Sequence, residues 1–232
     1  MCGRYWRDIK FQEACKDMFE VPFDIDEILP NFNVAPTTQN PIVLQRNGQR
    51  SMEIFRWGLV PPYEKEGKPK YPYINARKEK VDSHGAYKTS FKKYRCIVPA
   101  SGFYEWRKKD GNSYPYAFRL KNSEVIPFAG LHYIWESKDG SKRIPSFTII
   151  TTDNNKTVGE VHNSRPRMPV ILTEEDFDWW LDPENQNTKA IKESGVFEPY
   201  PDDGMYRYPV SQKVNNVRNN APELIEEVDG WE

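Results

Sequence analysis

Short runs of β-branched and aromatic residues, each bounded by glycine, proline or asparagine, recur through the middle of this chain. Such runs are typical of strands, and the bounding residues favour turns. The runs are Ile42–Gln45, Met52–Val60, Cys96–Val98, Phe103–Arg107, Tyr116–Leu120, Leu131–Trp135, Phe147–Thr151 and Val170–Leu172. Helical patterns are fewer and do not alternate with them. The sequence therefore predicts an α+β fold, built on a largely antiparallel, curved or barrel-like sheet with a few flanking helices.

Two helices and one hairpin are predicted from their end signals. The first helix covers residues 9–19, with Asp8 as its N-cap. Its apolar face consists of Phe11, Cys15, Met18 and Phe19. The second begins at Thr173, where Thr-Glu-Glu-Asp has the spacing of a capping box. The Asp-Gly pair within Lys109–Asn112 predicts a tight hairpin turn between two of the strands.

Length and composition limit the class of protein. The 232 residues, 38% hydrophobic and 14% aromatic, suit one domain spanning residues 1–232 with a buried core. No apolar stretch approaches the roughly 18 residues that cross a bilayer, and the first ten residues do not resemble a signal peptide. Three cysteines without an export signal favour reduced thiols. We expect a cytoplasmic or nucleoid-associated monomer with no membrane partner.

The charge of the chain is unevenly distributed. The net charge of −1 gives no overall attraction to the phosphate backbone of a nucleic acid. Acidic residues, however, gather after residue 173 and at the C-terminal end, whereas lysines and arginines concentrate between Lys78 and Arg95. A local basic face can therefore exist under a near-neutral total.

Cys2 is the strongest candidate for chemistry. A small residue after the initiator Met generally permits removal of Met1, which would expose a thiol and an α-amine on the same residue. Both groups titrate near pH 8, so both nucleophiles are partly available at neutral pH. Such a 1,2-aminothiol attacks an aldehyde twice, because the amine forms an imine and the sulfur then closes a thiazolidine. The alternative is a cysteine that only packs, and a retained Met1 would leave only the thiol.

Two further segments supply helpers for such a nucleophile. Asn75 and Arg77 lie two residues apart and would share one face of an extended segment, where the amide could hold an amine or a hydroxyl and the guanidinium a phosphate. Glu105 lies among aromatic residues on a predicted strand. Desolvation there would raise its pKa and make it a general acid at neutral pH. The alternatives are an ordinary surface segment and a partly exposed carboxylate.

His162 and two arginines share a proline-rich loop. His162 could shuttle a proton or bind phosphate, and Arg165 and Arg167 could hold a nucleic-acid backbone. The three histidines and three cysteines are scattered without the spacing of metal ligands. We therefore expect no metal and no other cofactor.

Ordered blocks across nearly the whole chain resemble those of the SRAP (SOS response-associated peptidase) family of abasic site processing proteins. No single block is specific, but the ordered set is. The blocks are Met1–Arg4, Asn33–Thr37, Arg56–Pro61, Ile74–Arg77, Arg95–Trp106, Phe128–Leu131, Thr148–Thr152 and His162–Pro169. The resemblance implies a DNA-damage sensor that shields abasic sites in single-stranded DNA by a thiazolidine crosslink at its N-terminal cysteine, in a lyase-like reaction, with a peptidase activity that frees this cysteine.

The resemblance also implies roles for individual residues. Those it assigns to catalysis are Cys2 as nucleophile, Asn75 as positioning residue, Glu105 as ring-opening acid and His162 as active-site histidine. Those it assigns to DNA are Arg4, Arg77, Arg167 and Trp106, the last as a stacking or wedging aromatic. Two departures from the family pattern matter. Tyr63 stands where the family often has Trp, and the loop after His162 is longer, which leaves open whether Arg165 or Arg167 holds phosphate.

Two other classes of function are compatible with the residues. One is a cysteine peptidase or amidase, in which the Cys2 thiolate attacks a carbonyl carbon with His162 as base. The other is a non-covalent single-stranded nucleic-acid binder that uses aromatic and basic residues on a sheet face. The first predicts turnover without DNA, and the second predicts binding that survives the loss of Cys2.

Overall fold

The computed structural model of the protein describes residues 2–21, 28–164 and 166–230. The strands in these ranges are β1 (Tyr5–Arg7), β2 (Asn31–Val34), β3 (Gln39–Arg46), β4 (Gln49–Trp57), β5 (Asn75–Arg77), β6 (Arg95–Ala100), β7 (Gly102–Lys109), β8 (Asn112–Leu120), β9 (Ile126–Glu136), β10 (Arg143–Asp153), β11 (Arg167–Pro169) and β12 (Met205–Pro209). The α-helices are α1 (Phe11–Phe19), α2 (Lys88–Lys93), α3 (Lys156–Gly159), α4 (Phe177–Leu181) and α5 (Thr188–Glu193). Short 3-10 helices lie at Glu174–Asp176, Asp202–Gly204, Gln212–Asn215 and Pro222–Ile225.

Five strands close into a barrel in the order β10-β4-β3-β6-β9, and β9 pairs back with β10. Each pairing is antiparallel except that of β4 with β10, where Ser146 lies beside Arg56 and Phe147 beside Trp57. Closure satisfies the backbone donors and acceptors that an open sheet would leave at its edges. This α+β architecture with a largely antiparallel, barrel-like sheet confirms the predicted fold class.

A second sheet, in the order β12-β8-β7-β1-β2, is antiparallel throughout. Its β7–β8 hairpin turns at Asp110 and Gly111, whose φ angles are 50° and 78°. Positive φ at both central residues is the condition for the two-residue turn that matches strand twist, and Asp-Gly meets it. The predicted hairpin is therefore confirmed. It matters for function because β7 carries Glu105.

Aromatic side chains pack where the two sheets meet. The rings of Tyr5 and Trp57 lie 5.1 Å apart, and those of Phe103 and Phe118 stack at 4.9 Å. All four are completely buried. Burial of such side chains stabilises a fold by about 1.5–3 kcal/mol each. This packing fixes the strand β1, and with it the adjoining N-terminal residues, against the barrel.

Both predicted helices are present, with later starts. The first begins at Phe11 rather than residue 9, because the Asp8 carboxylate accepts from the Lys10 amide at 3.1 Å and forms a turn before the helix. Its buried residues are Phe11, Cys15 and Phe19. At the second, the Asp176 carboxylate accepts from the Thr173 amide at 2.8 Å, and one 3-10 turn precedes α4.

The predicted strand Val170–Leu172 is wrong in its position. The strand of this segment is β11, and of the three predicted residues only Ile171 forms an isolated bridge, to Phe128. The Val170 amide donates to Ile150 of β10, whereas its carbonyl accepts from Ala129 of β9. The segment thus crosses between two strands and cannot continue a ladder with either. None of the described helices has the length and apolar character needed to cross a membrane.

Candidate functional site

The Cys2 side chain is completely buried beside the second sheet. β1 follows it and pairs with β7, and a further bond from the Tyr104 amide to the Arg4 carbonyl, 3.0 Å long, extends this pairing toward Cys2. The thiol donates to the Arg4 carbonyl at 3.7 Å. Burial raises the pKa of the Cys2 thiol, and the charge of Glu105 raises it further. The sulfur is therefore held as a neutral thiol near neutral pH.

Asn75 contacts Cys2 directly. Its Nδ2 donates to the Cys2 carbonyl at 2.8 Å, and its own carbonyl accepts from the Tyr87 hydroxyl at 3.1 Å. Asn75 is placed here because β5 lies parallel to β10, with Asn75 beside Ile149. The buried Oδ1 of Asn75 has no hydrogen-bond partner among the described residues. It is an acceptor that an amine or a hydroxyl brought to Cys2 could satisfy.

Glu105 and His162 form a buried pair. The two residues are 3% and 6% exposed, and His162 Nδ1 lies 3.6 Å from Glu105 Oε2 and 3.0 Å from the Arg167 carbonyl. Burial raises the pKa of Glu105 to about 7, as its aromatic surroundings in the sequence predict. At neutral pH this carboxyl is partly protonated, which suits it to donate and to accept a proton.

The site thus combines a thiol, an amide, a carboxyl of raised pKa and an imidazole. They come from four places in the chain: the N-terminal segment, β5, β7 and the loop after α3. The groups suit a reaction that needs a nucleophile and proton transfer. Among the described residues, no three His, Cys, Asp or Glu side chains lie together as a metal site would require.

Arg4 and Trp106 lie next to this site and are held by a C-terminal segment. Arg4 donates to Asn33 Oδ1 at 2.7 Å and to the Val214 carbonyl at 3.0 Å. The Trp106 indole donates to Asn215 Oδ1 at 2.7 Å, and the Arg4 guanidinium lies 6.0 Å from the ring. The half-buried ring is thereby fixed on β7, where it follows Glu105 and points to the opposite face of the sheet.

The three remaining arginines of the sequence prediction differ in their surroundings. Arg77 is exposed at the end of β5. Arg167 has a side chain only 13% exposed, which donates to Glu79 at 3.0 Å and to the Thr151 carbonyl at 2.6 Å. Arg165 lies outside the described residues. Phosphate binding by these arginines stays a prediction.

Sequence reasoning assigned no role to the residues that support the site. Asn33 donates to three backbone carbonyls of the C-terminal segment and accepts from Arg4, so it joins the start of the chain to its end. Tyr87 holds the backbone of Asn75. The only sequence feature that pointed to Asn33 was its place in one of the ordered blocks. No sequence feature pointed to Tyr87 or Asn215, because the residues that they contact lie elsewhere in the chain.

Comparison with known proteins gives a consistent result. Residues 1–217 match the family described as SOS response associated peptidase (SRAP). The chain is 36% identical to abasic site processing protein YoqW of Bacillus subtilis (strain 168), over 97% of this chain and 99% of that protein. It is 31% identical to abasic site processing protein HMCES of Xenopus tropicalis, over 87% of this chain and 67% of that protein.

A solved structure of a Bacteroides thetaiotaomicron protein has the same fold. Its TM-score is 0.85 at 24% identity, and the match covers 98% of this chain and 100% of that one. Three findings point to the same family: the ordered blocks of the sequence, the family match over residues 1–217 and the identity to these relatives. This protein belongs to the SRAP family.

Proposed function

We propose that this protein processes abasic sites by binding the aldehyde of the lesion covalently through Cys2 in single-stranded DNA. The observation that supports this most is the hydrogen bond of Asn75 to Cys2, next to the buried pair of Glu105 and His162. A merely structural cysteine has no need of a carboxyl with a raised pKa nearby. Relatives that match most of this chain are named abasic site processing proteins, and this supports the choice of aldehyde.

The chemistry uses both nucleophiles of Cys2 once Met1, which lies outside the described residues, has been removed. The α-amine attacks C1′ of the ring-opened sugar, and loss of one water gives an imine. Sγ then adds to the imine carbon while the thiol proton passes to the nitrogen, which closes a thiazolidine. The net change is the release of one water. The raised pKa of the thiol favours this order, because the amine attacks first and the sulfur carries its proton into the second step.

Proton transfer falls to Glu105 and His162. An abasic sugar is mostly a closed hemiacetal, so its ring oxygen must gain a proton before the aldehyde is free. Glu105, with a pKa of about 7, can donate that proton, and His162 at 3.6 Å can exchange protons with it. Asn75 holds the Cys2 carbonyl through Nδ2, and its Oδ1 would accept from the attacking amine.

The DNA strand would follow the exposed side of this site. Arg77 is the most available phosphate ligand, because it is exposed and lies two residues from Asn75. Trp106, held rigidly by Asn215, would stack on a base beside the lesion. Arg4 would act mainly by holding Trp106. Arg167 would have to exchange its bond to Glu79 for one to phosphate, and Arg165 is the alternative ligand.

The peptidase alternative fits less well as the main activity. A cysteine peptidase attacks with a thiolate, whose formation needs a lowered thiol pKa. Burial has the opposite effect on Cys2. His162, the base of that mechanism, pairs with Glu105. We therefore restrict peptidase chemistry to the removal of Met1.

The test is to mix Met1-processed protein with a single-stranded oligonucleotide that carries one abasic site. Intact mass spectrometry should show protein plus oligonucleotide minus one water, and the species should survive a denaturing gel without reductant. Cys2→Ala should abolish it. Cys15→Ala is the matched control, because Cys15 is also completely buried but lies in α1.

Each result separates one class of function. An undamaged oligonucleotide should give no adduct. Full crosslinking by Cys2→Ala would contradict the nucleophile. Binding without any covalent species, from a protein whose Cys2 amine is free, would favour the non-covalent binder. Hydrolysis of a peptide without DNA would favour the peptidase.

A further inference from the structure

A second concave site lies at the other end of the barrel. A cavity of about 500 Å³ opens between the β3–β4 turn, the start of β6, the middle of β9 and the segment after α4. β4 starts at that turn with Gln49 and ends eight residues further on at Trp57, whose indole donates to the carbonyl of Ile74, next to Asn75. At about 3.3 Å per residue, the cavity lies about 26 Å along β4 from the Cys2 site.

The floor of the cavity carries a buried positive charge. Arg95 is 3% exposed, and its five N–H groups donate to the carbonyls of Phe91, Lys92, Trp180, Asp182 and Asn185. Burial lowers the pKa of Arg95 to about 10, so it remains charged at neutral pH. Carbonyls satisfy its donors but do not cancel its charge. The charge of Asp182 acts on Arg95 and raises its pKa, but among the described residues no carboxylate lies within ion-pair distance of it.

Two further cations stand at the rim. Arg46 and Lys93 line the same cavity, and both are exposed. Arg46 has one acidic partner, Glu53 at 3.2 Å, in a pair that is largely in solvent and therefore weak. No carboxylate side chain is among the described residues that line the cavity. The electrostatics favour an anionic ligand.

The walls favour a planar ring. Tyr94 and Tyr133 line the cavity with ring centroids 5.8 Å apart, and the imidazole of His132 lies 5.6 Å from Tyr94. Tyr94 is 38% exposed, so part of its ring is open to a ligand. The Nδ1 atom of His132 is buried and has no hydrogen-bond partner among the described residues. The ring therefore has hydrogen-bonding capacity that the described residues do not use.

We propose that this cavity binds a nucleotide, with the base against Tyr94 and Tyr133 and the phosphate toward Arg46 and Lys93. A volume of about 500 Å³ is in the range of small-ligand sites. Aromatic rings that can stack on a base, together with cations that bind phosphate, are the pair of features that nucleotide recognition needs. An acidic peptide would use the cations but not the rings. The site is separate from Cys2 and does not depend on the proposed crosslinking.

The nucleotide could be free in solution or part of a DNA strand, and one experiment separates the two sources. His132 is the reporter, because the chain has only three histidines and burial lowers its pKa to about 3, so its ring does not titrate near pH 7. Its imidazole NMR signals are followed at pH 7 during titration with deoxyadenosine monophosphate and, separately, with undamaged oligothymidylates of increasing length. The probes deoxyadenosine and inorganic phosphate test the two halves of the ligand alone.

We expect a saturable shift of the His132 signals with the mononucleotide, or only with oligonucleotides if the strand is the source. Tyr94→Ala and Lys93→Ala should each weaken the binding about tenfold. Tyr206→Ala and Lys92→Ala are the matched controls, because Tyr206 is 40% exposed on β12 and Lys92 is exposed beside Lys93 outside the cavity lining. Both controls should bind as the unaltered protein does.

Three results would overturn the proposal. The His132 signals could fail to shift with every nucleotide probe, the shift could survive unchanged in both Tyr94→Ala and Lys93→Ala, or inorganic phosphate alone could bind as tightly as the nucleotide. None of these would alter the crosslinking test, which depends on Cys2.

Discussion

The Cys2 site and the opposite end of the barrel each bury an ionisable side chain, in contrasting ways. Arg95 has every N–H group bonded to a backbone carbonyl and keeps its charge at neutral pH. Glu105 is equally buried, but burial raises its pKa to about 7. The structure thus stabilises the permanent charge of Arg95, whereas the Glu105 carboxyl can gain or lose its proton near pH 7.

This difference separates a structural group, Arg95, from Glu105, the group to which the proposed mechanism assigns proton transfer. The carbonyls that Arg95 joins come from α2, from α4 and from the segment after α4, so the side chain ties those elements to β6. Glu105 instead lies 3.6 Å from a second titratable group, His162. Shifted pKa values concentrate at functional sites because proton transfer needs groups that titrate near the working pH, and burial supplies the shift.

Replacing Arg95 tests the structural half of the comparison and should have the largest effect. Arg95→Met would leave five carbonyls without their donor, and we expect a loss of about 4 kcal/mol in the free energy of unfolding. Urea denaturation at pH 7 measures it. Arg46→Met is the control, since its exposed pair with Glu53 should contribute less than about 1 kcal/mol. Equal losses would mean that the buried bonds of Arg95 are not structural.

The stability of the Glu105 region should depend on pH. Its folded-state pKa, about 7, lies above the ordinary value of 4.5. Below pH 4.5 the carboxyl is protonated in both states. Between pH 4.5 and 7 mainly the unfolded state ionises, so the stability of the folded state falls over this range and levels off above pH 7, where both states ionise. Glu105→Gln should therefore unfold like the unaltered protein at pH 4.5 but be more stable at pH 8, by on the order of 3 kcal/mol. Denaturation at the two pH values measures this, and an equal difference at both would contradict the raised pKa.

The same substitution should slow the reaction. If Glu105 is the acid that opens the sugar ring, Glu105→Gln should form the adduct about 10²-fold more slowly at saturating DNA. A gel time course measures the rate. Glu124→Gln is the control, because Glu124 is an exposed carboxylate paired with Lys10. A variant that is more stable at pH 8 yet no slower would remove Glu105 from catalysis and leave it as a strained structural residue.

Local chemistry made some of these features predictable from the sequence. Asp110 and Gly111 are residues that accept positive φ, so the hairpin followed from them alone. The aromatic neighbours of Glu105 predicted its raised pKa, because strand neighbours determine desolvation. Asn75 and Arg77 do share a strand, β5, but this segment was not among the strands predicted from the sequence.

Long-range pairing was not predictable. The bond of Asn75 to Cys2 depends on β5 lying parallel to β10, and no local pattern encodes a partner more than 70 residues away. The ion pair of Arg167 with Glu79 links residues 88 apart, so the sequence showed a free guanidinium where the structure has a bonded one. Val170–Leu172 has the composition of a strand, but its position between β9 and β10 decides its hydrogen bonds.

The comparison extends to two arginines of the proposed DNA surface: Arg77 is exposed, whereas Arg167 already binds Glu79. Replacing either should have the smallest effect of the substitutions considered. Arg77→Ala should weaken single-stranded DNA binding about tenfold for every sequence and reduce the slope of log K against log salt by about 0.7, the value of one phosphate contact. Arg167→Ala should change the slope less, because its side chain is 13% exposed and already binds Glu79. Lys142→Ala, at the β9–β10 turn, is the control. Fluorescence anisotropy in a salt series with non-cleavable oligonucleotides measures both slopes.

The two slopes also decide what Arg167 does. An equal loss in both variants would mean that Arg167 leaves Glu79 when DNA binds and takes a phosphate, as its place in the family pattern implies. An unchanged slope with lower thermal stability would mean that it supports β10 through its bond to the Thr151 carbonyl. A change in base preference for either variant would contradict phosphate contact altogether, because phosphates carry no base information.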